Sequence, residues 1–226
     1  MRYGALVIAL GLVWPAGAQA GLLRPDQFEA GRFLPPPPAA GSPLEQSEFA
    51  ELRDIAAKST PEDLAAATHD ARDETADIFN DAIGFDLATM PKTFELLTLV
   101  GEEEEDDTRN AKDYFHRDRP YAVDPSLKTC TPVKPGKAAN SYPSGHATRA
   151  FAMGVVLASL LPAKSQAILA RASQYAEHRL VCGVHFRSDI AAGQQFGTVL
   201  ALKLMDNARF ARQMKAARAE LHAAHL

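Results

Sequence analysis

Of 226 residues only two are cysteine, Cys130 and Cys182, and only one is tryptophan. Two cysteines permit one disulfide; the alternative is a pair of buried thiols. After residue 20 no apolar run approaches the roughly 20 residues that a membrane-spanning helix needs. Basic residues are scattered, with no long run and no interleaved aromatics, and the formal net charge is −4. That balance gives nothing for a nucleic acid to grip. Strand-like alternation of useful length is missing, as is any internal repeat. No cluster of Asp and His has the look of a metal-ligand set.

What is present is ordinary globular composition, 46% hydrophobic and 23% charged, enough for one core. The first twenty residues stand apart. Met1-Arg2 gives a positive start, Ala5 to Val13 is almost wholly apolar, and Ala18-Gln19-Ala20 is a small-x-small ending. This reads as a secretory signal peptide cut after Ala20, and not as a membrane anchor, because the apolar run is short and no cationic stop follows. Cleavage there implies a periplasmic or secreted protein. Export in turn favours the disulfide, which would close a loop of about fifty residues and contribute roughly 4 kcal/mol.

Residues 21–46 are rich in Pro and Gly around Pro35-Pro36-Pro37-Pro38 and read as an extended Pro-rich arm. Residues 47–226 read as a single compact helical domain, so the fold class is all-α. Phe49, Leu52, Ile55 and Ala56 recur at helical spacing. Thr60 and Pro61 open a helix predicted to run to Gly84. Another starts near Pro91 and carries Leu96–Val100, followed by a second one through Lys112. The acidic run Glu102–Asp107 between them reads as a solvated face or a helix start. Residues 117–142 read as a long loop. Apolar or amphipathic helices follow from Gly145 to Pro162, then to Cys182, then over the stretch from Arg187, and finally along the tail.

Three short stretches carry unusual chemistry. In the first, Lys112 and Arg119 are seven apart, so a continuing helix would place both on one face before Pro120 ends it. In the second, "SYPSGH", Ser144, Gly145 and His146 stand at a helix start, where exposed N–H groups suit an anion. In the third, Arg179 precedes His185 and Asp189, and the i, i+4 spacing lets the carboxylate reach the imidazole. Each alone has a plain reading as surface charges or a turn. Together they supply cations, a hydroxyl and N–H groups for a tetrahedral oxyanion, and two histidines for nucleophile and acid.

The pattern Lys-x6-Arg-Pro, Pro-Ser-Gly-His, Arg-x5-His-x3-Asp resembles the type 2 phosphatidic acid phosphatase superfamily, which includes the vanadium haloperoxidases. Within it the chain is similar to bacterial class A non-specific acid phosphatases, through Leu34-Pro35-Pro36-Pro37-Pro38, the Lys112-Asp113-Tyr114 context, "SYPSGH" and "RLVCGVHFRSD". The family usually has Ser where His178 stands and often Thr where Ala147 stands. His178 is therefore a titrating group expected near the site.

The resemblance implies that His185 attacks phosphorus, Asp189 fixes its tautomer, and His146 protonates the leaving alcohol. It implies that Lys112, Arg119, Ser144, Gly145 and Arg179 hold the phosphate oxygens, with no metal or other cofactor. Substrates would be small phosphate monoesters, with inorganic phosphate or vanadate as inhibitors, transfer to a second alcohol as a side activity, and a homodimer as the assembly. A vanadate-dependent haloperoxidase, a lipid phosphatase and a non-catalytic anion-binding protein are the competing readings. His69, His116, His222 and His225 have no partner pattern and read as surface residues.

Overall fold

The structure, a computed structural model, describes residues 21–24, 27–133, 136 and 138–226. The stretch read as a signal peptide lies outside the described residues. Among the described residues the regular elements are all helical, in keeping with an all-α chain: α1 (Ala30–Phe33), α2 (Pro43–Lys58), α3 (Pro61–Asp70), α4 (Asn80–Ile83), α5 (Pro91–Phe115), α6 (Pro120–Val123), α7 (Gly145–Leu160), α8 (Ser165–Val181), α9 (Arg187–Met205) and α10 (Ala208–Ala223), with short 3-10 turns between some of them.

Local chemistry sets several starts. Ser42 accepts a hydrogen bond from the Glu45 N–H ahead of α2, and Thr60 and Asp63 form a reciprocal capping box ahead of α3. Met90 offers α5 no side-chain cap. Glu220 of α10 takes over, accepting from the Lys92 and Thr93 N–H groups at 2.9 and 2.8 Å. That cap ties the C-terminal helix to the body, where its Phe210, Ala217 and Leu221 are buried.

The core centres on α7 and α9, whose backbones run very close. A Cβ added at Gly197 would lie 2.2 Å from the Thr148 carbonyl oxygen, and one at Gly193 would lie 2.7 Å from that of Ser144. Only glycine permits this approach. Helices α8 and α5 also pack on α7, and Leu97, Leu157, Ile168, Phe196 and Leu200 are fully buried. Each such side chain contributes about 1.5–3 kcal/mol relative to exposure. The arm is strapped to this body: Phe28 stacks on Phe196 at 4.4 Å, and the Pro35 carbonyl accepts from the Tyr142 hydroxyl at 2.7 Å. It includes the short α1, and α2 begins at Pro43, ahead of Ser47.

Three expectations are corrected. The stretch from Thr60 to Gly84 is not one helix, because α3 stops at Asp70 and a 3-10 turn at Ala76–Phe79 leads into α4. Asp73 accepts from the Thr75 N–H and hydroxyl, and Thr75 caps the turn, so local side-chain bonds displace the helical ladder. Conversely, α5 runs unbroken for 25 residues through the acidic run. Acids of that run find partners there: Glu103 takes the Leu22 N–H, Glu104 takes Thr108 and Arg149, and Glu105 and Asp106 take Arg109. Finally, Lys112 and Arg119 do not share a helix face. α5 ends at Phe115 with His116 as a left-handed C-cap (φ 51°), and Pro120 opens α6 instead of ending a helix.

Candidate active site

The site is built where helix ends meet. Lys112 stands in the last turn of α5 and Arg119 just before α6. Ser144 caps α7, with Gly145 and His146 in its first turn. Arg179 is in the last turn of α8, His185 follows it, and Asp189 lies in the first turn of α9. The Ser144 N–H donates to the Asp189 carbonyl at 3.0 Å, which stitches the starts of α7 and α9 together. Cys130 and Cys182 are joined, with Cα atoms 4.7 Å apart. The bond anchors the chain between Arg179 and His185 to the preceding loop.

A cleft of about 340 Å³ opens at this junction. Lys112, Arg119, Gly145, His146 and Arg179 all line it, with Glu74, Glu104, Thr108 and Arg149. A Cβ on Gly145 would stand 3.4 Å from Lys112 Nζ, so the α7 start and the lysine are neighbours. His185, Asp189 and Ser144 are buried beneath this lining. The Ser144 hydroxyl accepts from the Ala147 N–H at 3.4 Å, the role of a cap.

His185 Nδ1 lies 3.3 Å from Asp189 Oδ2, which leaves Nε2 unengaged by that carboxylate. Burial pushes the His185 imidazolium well down, and Arg119, Lys112 and Arg179 push the same way. Three cations from three separate segments therefore surround one neutral imidazole. His146 is also driven well down, by burial and then by Arg179, His185 and Lys112, and its ring stacks on Tyr175 at 5.6 Å. Burial lowers Arg179 to about 10. Arg179 Nε and Nη1, Arg119 Nε and His146 Nε2 are buried with no hydrogen-bond partner among the described residues. Unmet buried donors are costly, and a bound oxyanion would satisfy those of the guanidinium groups.

Sequence reasoning missed the residues that hold Asp189. Ser141 Oγ donates to its Oδ2 at 2.6 Å and the Phe186 N–H at 2.8 Å. Arg117, with 5% of its side chain exposed, donates to Oδ1 at 2.7 Å, to Ser188 Oγ at 2.7 Å and to Glu48 Oε2 at 2.8 Å. Its guanidinium also lies 4.0 Å from the Phe186 ring centroid. Arg117 stands two residues before Arg119 and Ser141 opens "SYPSGH", but nothing local separates them from surface groups. Glu48 carries no sequence signal at all.

His178 is corrected as well. Its Nδ1 contacts Asp70 Oδ2 at 2.7 Å, and Arg171 grips the same carboxylate at 2.7 and 2.9 Å. It therefore faces Asp70 and is not among the residues lining the cleft. His69, His116, His222 and His225 are exposed.

The fold and site together define an all-helical domain with a cationic, histidine-bearing cleft at its helix ends. The chain belongs to the PAP2 superfamily, whose pattern matches residues 97–212. It is 33% identical over 200 residues to a protein of Zymomonas mobilis subsp. mobilis named acid phosphatase, covering 85% of this chain and 75% of that one. It is 31% identical over 196 residues to a non-specific acid phosphatase of Providencia stuartii, covering 83% and 79%, and 30% identical over 238 residues to one of Salmonella typhimurium, covering 98% and 94%. Among solved structures the fold resembles a transmembrane PAP2-type phosphatidylglycerolphosphate phosphatase from Bacillus subtilis, with a TM-score of 0.55, 19% identity and coverage of 73% and 85%. It also resembles LpxE of Aquifex aeolicus, with a TM-score of 0.54, 22% identity and coverage of 69% and 92%. No helix of the described residues is long and apolar enough to cross a membrane.

Proposed function

We propose that the protein is an exported, metal-independent acid phosphatase that hydrolyses phosphate monoesters through a phosphohistidine. The observation that carries this reading is the gathering of Lys112, Arg119, Arg179 and His146 on one cleft, over a buried His185 whose Nδ1 lies 3.3 Å from Asp189 Oδ2. With the Nδ1–H held by Asp189, Nε2 keeps a lone pair for phosphorus. As the N–P bond forms, the ester P–O bond breaks and the alcohol oxygen takes a proton from His146. Water then attacks the phosphohistidine, His146 takes the proton from it, and phosphate leaves with His185 restored. Lys112, Arg119, Arg179, Ser144 and the Gly145 N–H hold the non-bridging oxygens and stabilise the charge that reorganises in the transition state; Ser144 also caps α7 through the Ala147 N–H. The names of the relatives at about 30% identity support the same reaction class.

The first twenty residues support export to the periplasm or medium, with cleavage after Ala20. A second alcohol in place of water would give phosphotransfer. Inorganic phosphate and vanadate would compete for the cradle, and the protein would act as a homodimer. The test is acid–base trapping of the labelled enzyme after brief exposure to a radiolabelled phosphate ester, with EDTA present throughout. An acid-labile, base-stable phosphoenzyme is expected in the wild type and none in His185→Ala. Full turnover in His185→Ala, or activity abolished by EDTA, would refute the assignment.

A further inference from the structure

The cleft carries charges of both signs at different depths. Lys112, Arg119 and Arg179 line it over the buried His185, with Arg179 itself buried. Towards solvent the lining carries the exposed carboxylates Glu74, Glu105 and Asp113. The arginines on that side are already engaged: Arg109 by Asp106 at 2.8 Å and Glu105 at 3.2 Å, and Arg149 by the buried Glu104 at 2.9 Å.

Of these carboxylates Glu74 is the one that meets His146. Its Oε1 lies 3.4 Å from His146 Nε2 and its Oε2 lies 3.5 Å from Arg149 Nη1, with half of the side chain exposed. His146 Nε2 is buried with no hydrogen-bond partner among the described residues, and on the proposed mechanism it is the nitrogen that meets the ester oxygen. Whatever the ester oxygen carries must then pass beside Glu74. Arg149 is shared between Glu74 and the buried Glu104, so it does not engage Glu74 alone.

We propose that Glu74 reads the leaving group, favouring phosphate monoesters of small amino alcohols over anionic esters of the same size. The proposal rests on the reading of His146 as the group on the leaving-alcohol side. A zwitterionic ester matches the cleft end to end, with its phosphate among the floor cations and its ammonium at the carboxylate wall. An ester bearing a second anion places that charge against Glu74, and discrimination comes from this repulsion as much as from the attraction.

The test is kcat/KM for 2-aminoethyl phosphate, ethyl phosphate and carboxymethyl phosphate, with wild type and Glu74→Gln. The wild type is expected to rank them in that order. Glu74→Gln should compress the first-to-last ratio of kcat/KM by about fivefold, the upper end for a partly exposed charge pair, and added salt should compress it in the wild type. No preference for the ammonium ester in the wild type, or an unchanged ratio in Glu74→Gln, would overturn the proposal while leaving the phosphatase reading intact. Failure of the wild type to hydrolyse any of the three would overturn that reading and this proposal with it. The wild-type ranking decides the matter even where the variant does not fold.

Discussion

Arg117 offers the sharpest test of how the site is held. It is a buried cation between two buried carboxylates, Asp189 and Glu48, whose side chains are 0% and 4% exposed. Arg117→Met removes the charge while keeping much of the stem that packs on Phe186. Both carboxylates then lose their cation inside the protein. Breaking a buried pair in this way costs about 3–5 kcal/mol. For a chain of this size about 1 kcal/mol moves Tm by roughly 2–4 °C, so a fall on the order of 10 °C is expected by scanning calorimetry. The pH profile separates this from plain damage to packing. Burial pushes the Asp189 carboxyl up, and Arg117 is the largest influence opposing it. Without Arg117 the carboxyl takes up a proton at higher pH, releases the His185 tautomer, and the acid limb of kcat moves to higher pH. KM should change little, because Lys112, Arg119 and Arg179 are untouched. Arg117→Lys should restore part of kcat. A variant with lowered kcat but an unmoved acid limb would show that Arg117 acts only through packing, and a Tm within about 2 °C of wild type would refute the energetic argument.

The remaining tests address other parts of the site. His146→Ala should slow alkyl phosphates far more than p-nitrophenyl phosphate, whose leaving group needs no proton; equal losses would remove the acid role. Burial and neighbouring cations hold both histidines low, so the acid role proposed for His146 requires that its proton arrive with the substrate. The ester monoanion carries one below its second pKa of about 6, and kcat/KM should therefore fall as pH rises through that value. A profile flat from about pH 5 to 8 would contradict this. Reducing the Cys130–Cys182 bond, which spans 52 residues, should cost about 4 kcal/mol by loop entropy, seen as a lower Tm with reductant present and absent in the Cys130→Ser control.

How much of this could be read from the chain depended on distance along it. Asp189 follows His185 by one helical turn, and Gly145 and His146 adjoin a helix start, so periodicity and capping rules find them. The all-α class follows from the same 3.6-residue spacing. The expectation that failed most instructively is the shared face of Lys112 and Arg119. Continuing the helix from Lys112 was reasonable, but His116 takes a left-handed cap without being glycine, and Arg117 is drawn into a buried ion pair 72 residues away in sequence. The two cations reach one cleft across the break between α5 and α6 instead of along a helix face. Glu48 and Ser141 were illegible for the same reason, since their partner is chosen by tertiary packing. His178 stood beside Arg179 in sequence yet points elsewhere, because successive residues on a helix face different sides.

The packing and the chemistry of this domain share one cause. His146 sits at the start of α7, and Asp189, next to His185, sits at the start of α9. Those two starts are pinned together by the close contacts at Gly193 and Gly197 and by the Ser144–Asp189 hydrogen bond. Gly145, in the first turn of α7, lines the cleft beside His146, and a helix start there favours an anion. Burial is the leading influence that holds both imidazoles low. In the mechanism proposed above, a neutral imidazole suits His185 as the nucleophile and does not suit His146 as the acid. The protein therefore needs an asymmetric correction, and the structure contains one. Asp189 and its buried clamp meet His185 at Nδ1, leaving the opposite nitrogen clear of that carboxylate. A half-exposed carboxylate, Glu74, faces the unbonded Nε2 of His146, where negative charge favours the protonated ring once substrate arrives. On the proposed mechanism, two histidines in nearly the same desolvated cationic surroundings are separated in role by where their carboxylates stand.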